Sequence, residues 1–128
     1  MLDHLGVTVA DFARSRAFYK KALAPLSITL IKELSAADTG AQAHTGYGID
    51  GKPFFWIGDA GPPRGTVHIA FAAPNRDAVK AFYRAALAAG GKDNGAPGPR
   101  PYYHANYFGA FVFDPDGNNI EAVCHRPE

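Results

Sequence analysis

The fold is decided by the stretch "HIAFAAPNRDAVKAFYRAAL", residues 68–87, because the chain carries a second version of it. The earlier version, "HLGVTVADFARSRAFYKKAL" at residues 4–23, matches without a gap at the first histidine, at Ala-Phe-Tyr and at Ala-Leu. The constant offset is the 64 residues that separate His4 from His68, which is half of the 128-residue chain. A fixed offset with the same residue classes indicates two copies of one supersecondary unit.

Each copy predicts a strand followed by a helix. Bulky apolar residues alternate with small or polar ones at the start of each copy, so one face of each strand is apolar and the histidines lie on the other. Asp11 and Asn75 stand where a helix N-cap is expected, and amphipathic segments follow them. Further strands are predicted at 28–34, 44–49, 53–57, 108–113 and 119–124.

The unit is therefore βαβββ, present twice, and the predicted fold class is α+β. We expect two tandem modules that form a curved, partly open, barrel-like mixed sheet with a concave cleft. One domain spans residues 1–128, with module one at about 1–60 and module two at about 65–126. The segment "DPDGN", residues 114–118, is acidic enough to suggest a calcium loop, but a tight hairpin turn explains it better.

Composition excludes several classes of partner. Because 13 Lys and Arg are balanced by 12 Asp and Glu, the chain has no basic surplus for nucleic acid or for an anionic membrane surface. It has no signal-peptide pattern and no run of about 18 apolar residues, so a cytoplasmic protein is expected. The single Cys124 predicts no internal disulfide and receives no role.

Three polar residues stand on the predicted strands without an obvious structural reason. His4 and His68 hold equivalent positions opposite the helices, and a pseudo-twofold between the modules would bring them together. Glu121 interrupts the apolar segment "NNIEAV", where a buried carboxylate needs a partner. Two histidines and one carboxylate form a known divalent-metal set with open positions. The alternative is two hydrogen-bonded structural histidines and a solvent-facing glutamate.

These residues resemble those of the glyoxalase, bleomycin-resistance and extradiol-dioxygenase superfamily, also called vicinal oxygen chelate proteins. The resemblance rests on the paired modules, the strand histidines, the "AFY" helices and the closing "DPDGNNIEAV", and it covers almost the whole chain. It implies a divalent ion (Fe, Zn, Ni or Mn) held by His4, His68 and Glu121. It also implies a homodimer, with the modules of one site in one chain or exchanged between two chains.

The resemblance fails at one ligand position. Many members take a fourth ligand from the last strand of module one, where the repeat offset points to Ile57 or, with a one-residue shift, to Trp56. Neither side chain can bind a metal, and Asp59 falls beyond Gly58 in a predicted turn. The departure argues against the usual glyoxalase I mechanism, in which that carboxylate also transfers a proton.

The segment 95–109 is rich in glycine and proline yet dense in aromatics, which predicts a loop shaped over a pocket. Tyr103 and His104 are the predicted catalytic residues, because their hydroxyl and imidazole groups suit acid–base chemistry. The predicted substrate-binding residues are Tyr47, Trp56, Arg100, Tyr102 and Tyr107. Whether Phe55 or Trp56 faces the cleft depends on the strand register, and His44 and His125 receive no role.

The sequence thus predicts a metal-dependent, glyoxalase-like enzyme that chelates a small oxygenated organic substrate through two oxygens, of lyase, isomerase or dioxygenase type. The alternative is a metal-free protein of the bleomycin-resistance type that binds and sequesters a small molecule.

Overall fold

The computed structural model describes all residues, 1–128. Module one runs β1 (Leu5–Thr8), α1 (Phe12–Leu23), a 3-10 turn (Ala24–Leu26), β2 (Thr29–Leu34), α2 (Ala36–Thr39), β3 (His44–Ile49) and β4 (Lys52–Gly58). Module two runs β5 (His68–Ala72), α3 (Arg76–Ala88), β6 (Lys92–Pro99), β7 (Phe108–Phe113) and β8 (Asn119–Cys124). The α+β fold with two βαβββ modules is confirmed, and the short α2 is an addition to module one.

The strands form two four-stranded mixed sheets with the same topology. Their orders are β1-β4-β3-β2 and β5-β8-β7-β6, and in each sheet the first strand pairs parallel with the last while the other pairs are antiparallel. Each module therefore builds its own sheet, and the eight strands do not close into a barrel.

Both long helices begin at the predicted caps. The Asp11 side chain accepts the backbone N–H of Arg14 at 3.1 Å, and that of Asn75 accepts the N–H of Ala78 at 2.8 Å. An N-cap oxygen of this kind satisfies a donor that the first helical turn leaves free. None of the helices is both long and apolar enough to cross a membrane.

One hydrophobic core of 20 residues joins the two sheets and the two long helices. Phe18 from α1 and Phe82 from α3, which are equivalent in the repeat, are both fully buried in it. The sheet faces that carry Phe55, Phe71 and Ile120 point into the same core. We call the opposite face of each sheet, which the helices do not cover, its open face.

Tyr47 belongs to this core and not to a substrate cleft, which corrects its predicted role. It is fully buried, its ring lies 6.2 Å from that of Tyr19, and its hydroxyl donates to the carbonyl oxygen of Arg16 in α1. On β3 it pairs with Phe55 of β4 and shares that residue's core-facing side. Its side chain therefore points away from the open face.

The segment 114–118 is a hairpin turn, as the sequence predicts, built around the buried side chain of Asp114. Its carboxylate accepts the backbone N–H groups of Asp116 and Asn118 at 2.9 and 2.8 Å, and the amide of Asn118 at 2.8 Å. The hydroxyl of Tyr19 in α1 donates to the same carboxylate. The turn therefore also ties module two to the helix of module one.

The modules meet chiefly through their helices, because α3 packs against α1 and against the 3-10 turn, while β1 and β5 border shared cavities. Residues 6–8 line a cavity of about 490 Å³ together with residues 66–67, whereas Leu5 lines a second, apolar cavity with residues 69–72. The two strands therefore border the same cavities, although they belong to different sheets.

Candidate functional site

The open face of module two places His68 beside Glu121. β5 and β8 run parallel, with Ala70 opposite Glu121 and His68 opposite Asn119. Because Ile120 and Ala122 point into the core, strand alternation puts Glu121 on the open face. Nε2 of His68 lies 2.8 Å from Oε1 of Glu121. The carboxylate is only 1% exposed, whereas the His68 side chain is 54% exposed.

Tyr107 completes what we call the Glu121 cluster, which consists of His68, Tyr107 and Glu121. The Tyr107 hydroxyl donates to Oε2, the carboxylate oxygen that His68 does not contact. Burial raises the pKa of the Tyr107 hydroxyl, and the hydrogen bond to Glu121 raises it further. The hydroxyl is therefore held as a donor, and Glu121 has a partner on each oxygen.

Two imidazoles and a second tyrosine pack around the Tyr107 ring. The ring centroids of Tyr103, His104 and His125 lie 4.7, 5.5 and 5.3 Å from that of Tyr107. Nδ1 of His104 accepts the backbone N–H of Asn106, so in a neutral ring Nε2 carries the proton and donates to Nδ1 of His125 at 2.9 Å. This arrangement brings both predicted catalytic residues next to the Glu121 cluster.

His125 is a residue that the sequence analysis left without a role. It follows β8 directly and continues the alternation of Glu121 and Val123 along the open face. That alternation is the signal that could have identified it. The partner of His104 thus comes from the same strand as the central carboxylate.

Two other predicted substrate-binding residues lie at the edge of this region. Tyr102 is 74% exposed and its ring lies 4.7 Å from that of Tyr103. The Arg100 guanidinium donates to the carbonyl oxygens of Gly98 and Ala96, both at 2.8 Å, and lies over the ring of Phe111 at 5.4 Å. Phe111 pairs with Glu121 across β7 and β8, so Arg100 flanks the cluster from one side.

His4 stands apart from the Glu121 cluster. Its Nδ1 lies 2.7 Å from Oδ1 of Asp3, whose Oδ2 accepts from the Lys52 ammonium at 2.6 Å. The hydrogen bond from Lys52 and that from His4 lower the pKa of the Asp3 carboxyl. No three His, Cys, Asp or Glu side chains lie close enough together to hold a metal ion. The expected meeting of His4 with His68 and Glu121 does not occur within one chain.

The strand register shows what occupies the fourth-ligand position of module one. Gly6 lies opposite Trp56 just as its repeat equivalent Ala70 lies opposite Glu121. Trp56 is therefore the positional equivalent of Glu121, and its indole lies so close over Gly46 that a Cβ there would come within 2.9 Å. Phe55 is the neighbour that points into the core. Module one thus carries an indole where module two carries a carboxylate.

Comparison with known proteins assigns the family. Residues 1–122 match the model of the Glyoxalase/Bleomycin resistance protein/Dioxygenase superfamily. The chain belongs to this superfamily. A glyoxalase/bleomycin resistance protein from Albidiferax ferrireducens is 29% identical, with a TM-score of 0.75 and 97% of each chain covered. No curated protein matches the chain.

Two more distant members of the superfamily share the fold. Glyoxalase I from Zea mays is 23% identical with a TM-score of 0.70, and the match covers 99% of this chain but 45% of the maize chain. A mutant fosfomycin resistance protein from Listeria monocytogenes, complexed with Mn(II) and 1S,2S-dihydroxypropylphosphonic acid, is 18% identical with a TM-score of 0.68, covering 95% of this chain and 90% of that chain.

The donor atoms on the open face of module two are of the types that hold divalent metal ions. An imidazole nitrogen and a carboxylate oxygen lie 2.8 Å apart, and the imidazole is half exposed. Imidazole and carboxylate groups are suitable ligands for Fe, Zn, Ni and Mn ions. Module two therefore brings together two candidate ligands.

Proposed function

We propose that the chain is a divalent-metal-dependent, glyoxalase-like enzyme that acts on a small oxygenated organic substrate through bidentate chelation, by lyase, isomerase or dioxygenase chemistry. The observation that carries this proposal is the pairing of His68 with Glu121. Glu121 lies on the open face but is only 1% exposed, because neighbouring side chains cover it, and burying a carboxylate in this way costs stability. Its oxygen Oε1 faces the imidazole of His68, which is exposed. A metal ligand pair accounts for both side chains.

The third ligand in this proposal is His4 of a second copy of the chain, in a homodimer. Within one chain, His4 does not join His68 and Glu121 in a group that could hold a metal ion. His4 is nevertheless suited to be a ligand, because Asp3 engages Nδ1 and leaves Nε2 free, and the side chain is 59% exposed. A dimer that apposes module one of one chain to module two of the other would bring these donors together.

When bound, the ion would supply Lewis-acid stabilisation of an enolate or oxyanion on a substrate chelated through two neighbouring oxygens. Tyr103 and His104 are the proposed proton-transfer groups, and the hydrogen bond of 2.9 Å to His125 would hold the His104 ring in place. Tyr102 and Arg100 would contact the substrate from the β6–β7 loop. Trp56 would add an apolar wall from module one.

Elemental analysis tests the ligand assignment. We expect near-stoichiometric metal in protein purified without chelator, and loss of that metal in His68→Ala and Glu121→Gln. His44→Ala is the matched control, because His44 also lies on an open face but bonds the carbonyl oxygen of Gln42. Full metal content in His68→Ala would contradict the assignment. Iron would direct the assays to ring cleavage, and zinc, nickel or manganese to isomerase or transferase chemistry.

Complementation tests whether the site forms between two chains. His4→Ala and His68→Ala should each lose metal, but a refolded equal mixture should recover about a quarter of the wild-type content. The reason is that half of the random dimers are mixed and each mixed dimer holds one intact site. No recovery from mixed dimers would mean that each site uses one chain only.

The second candidate is a metal-free protein that sequesters a small molecule. It is favoured by the single-chain geometry, in which only two candidate ligands meet, and by the exposed rings of Tyr102 and Tyr103 on the loop. In that case neither purified protein nor titrated protein would hold metal. An aromatic ligand would then bind equally well with and without chelator.

A further inference from the structure

We infer that Tyr107 is a positioning residue that fixes Glu121 as a one-oxygen ligand. Its hydroxyl engages Oε2, so that Oε1 alone is presented toward His68. The inference rests on the proposed function, since it assigns a role within the same site. It also replaces the predicted substrate-binding role of Tyr107, because the hydroxyl already has a partner.

Gly109 leaves the space in which Tyr107 contacts Glu121. β7 has no side chain at Gly109, where a Cβ would lie 3.2 Å from Oε2 of Glu121 and 3.2 Å from Cε1 of Tyr107. Any larger residue at this position would press on both partners of the hydrogen bond. The absence of a side chain thus allows the Tyr107 ring to lie along the open face with its hydroxyl at the carboxylate.

The neighbouring rings hold Tyr107 in this position. Tyr103 packs against it from the loop, and the hydrogen-bonded pair of His104 and His125 packs against it from the loop and from the end of β8. Three side chains therefore restrict one ring. Such packing lowers the entropy cost of keeping the hydroxyl on Oε2.

The chemical consequence concerns the geometry of the carboxylate. A carboxylate with two free oxygens can rotate or bind an ion through both, whereas one with an oxygen engaged by a donor offers the other oxygen in a fixed direction. Hydrogen bonds to metal ligands of this kind typically change metal affinity about 10–100-fold when they are removed. The hydroxyl of Tyr107 would therefore determine both the strength and the geometry of ion binding at Glu121.

The test is titration of metal-free protein with Mn²⁺ and, separately, with Co²⁺. Tyr107→Phe should bind Mn²⁺ about tenfold more weakly than the wild type with unchanged stoichiometry. The Co²⁺ complex should show an altered visible spectrum, because Glu121 would no longer be restricted to one oxygen. Tyr83→Phe is the matched control: it removes a tyrosine–carboxylate hydrogen bond to Asp93, 2.9 Å long, elsewhere in module two. It should match the wild type in both measurements.

The outcomes separate this inference from the proposed function. If the wild type binds Mn²⁺ and Tyr107→Phe binds it equally well with the same Co²⁺ spectrum, only the positioning role is overturned. If the wild type binds neither ion, the metal-dependent function and the positioning role both fail. Should Tyr107→Phe not fold by circular dichroism, Gly109→Ala serves instead. It keeps the hydroxyl but crowds the contact, and it should weaken Mn²⁺ binding; unchanged affinity there would overturn the inference.

Discussion

Replacing Trp56 with glutamate would give module one the carboxylate that module two has at Glu121. The register makes the two positions equivalent, because Trp56 lies opposite Gly6 as Glu121 lies opposite Ala70. In the proposed site, Trp56→Glu would add a fourth ligand on the strand next to His4. The substitution therefore tests whether the open face of module one takes part in metal binding.

The substitution has a stability cost that can be worked from the structure. Trp56 is largely buried, and a large aromatic buries about 200 Å²; because the methylenes of a glutamate would keep part of this contact, the substitution exposes about 100 Å² of apolar surface. At about 25 cal/mol per Å², losing that contact destabilises the fold by about 2–3 kcal/mol. The indole also leaves the space above Gly46, which a glutamate side chain fills incompletely.

The assay measures urea unfolding of the metal-free protein and metal affinity by calorimetry. Trp56→Gln is the matched control, because it loses the same indole without adding a charge. Both variants should lose about 2–3 kcal/mol of unfolding free energy, but only Trp56→Glu should bind metal at least tenfold more tightly than Trp56→Gln, a gain of about 1.4 kcal/mol. Equal affinities would refute the placement of module one at the metal.

Three further predictions concern stability and pH. Gly48→Ala should lower the free energy of unfolding in urea by more than about 3 kcal/mol, because its Cβ would lie 1.8 Å from the carbonyl oxygen of Lys52. Gly51→Ala is the control, since a Cβ there meets open space, and it should cost about 1 kcal/mol. Equal losses in the two variants would contradict the clash. Tyr19→Phe removes the hydroxyl donated to Asp114 and should cost about 1–2 kcal/mol at neutral pH. Burial and, to a smaller extent, the Asp114 carboxylate raise the pKa of the Tyr19 hydroxyl in the folded state above its ordinary value of 10.0. The stabilisation by Tyr19 is therefore present below pH 10 and is lost above it. Above pH 10 the free energy of unfolding should fall more steeply with pH in the wild type than in Tyr19→Phe, and identical slopes would contradict this.

The strands that the sequence predicts best are those whose signal is local. The predicted strands at 44–49, 108–113 and 119–124 have the bounds of β3, β7 and β8. Their apolar alternation and flanking turn residues need no information from the rest of the chain. β6 was not predicted, because "KDNGAPGP" has no alternation. It is held by pairing with β7 across irregular registers at residues 93–95 and 95–98, which depends on tertiary structure.

The same difference between local signals and tertiary packing decides which parts of the site could be predicted. Alternation within one sheet predicts that His68 and Glu121 share a face, and the structure brings them to 2.8 Å. The position of His4 depends instead on how the two modules pack, and within one chain it does not join His68 and Glu121. Tyr47 was misassigned because its neighbours in "HTGYGI" include two glycines, so the pattern gives little contrast between the two sheet faces.

The two modules share one topology but carry different side chains at equivalent positions. Opposite Trp56 the neighbouring strand carries Gly46, which makes room for the indole, whereas opposite Glu121 it carries Phe111. Module one thus offers an apolar wall, and module two the carboxylate. A site with one carboxylate engaged by His68 and Tyr107 has no second carboxylate for proton transfer, so any reaction that moves a proton needs another acceptor. Among the residues around Tyr107, the imidazoles of His104 and His125, whose nitrogens lie 2.9 Å apart, are the remaining groups of the type that serves in general acid–base chemistry.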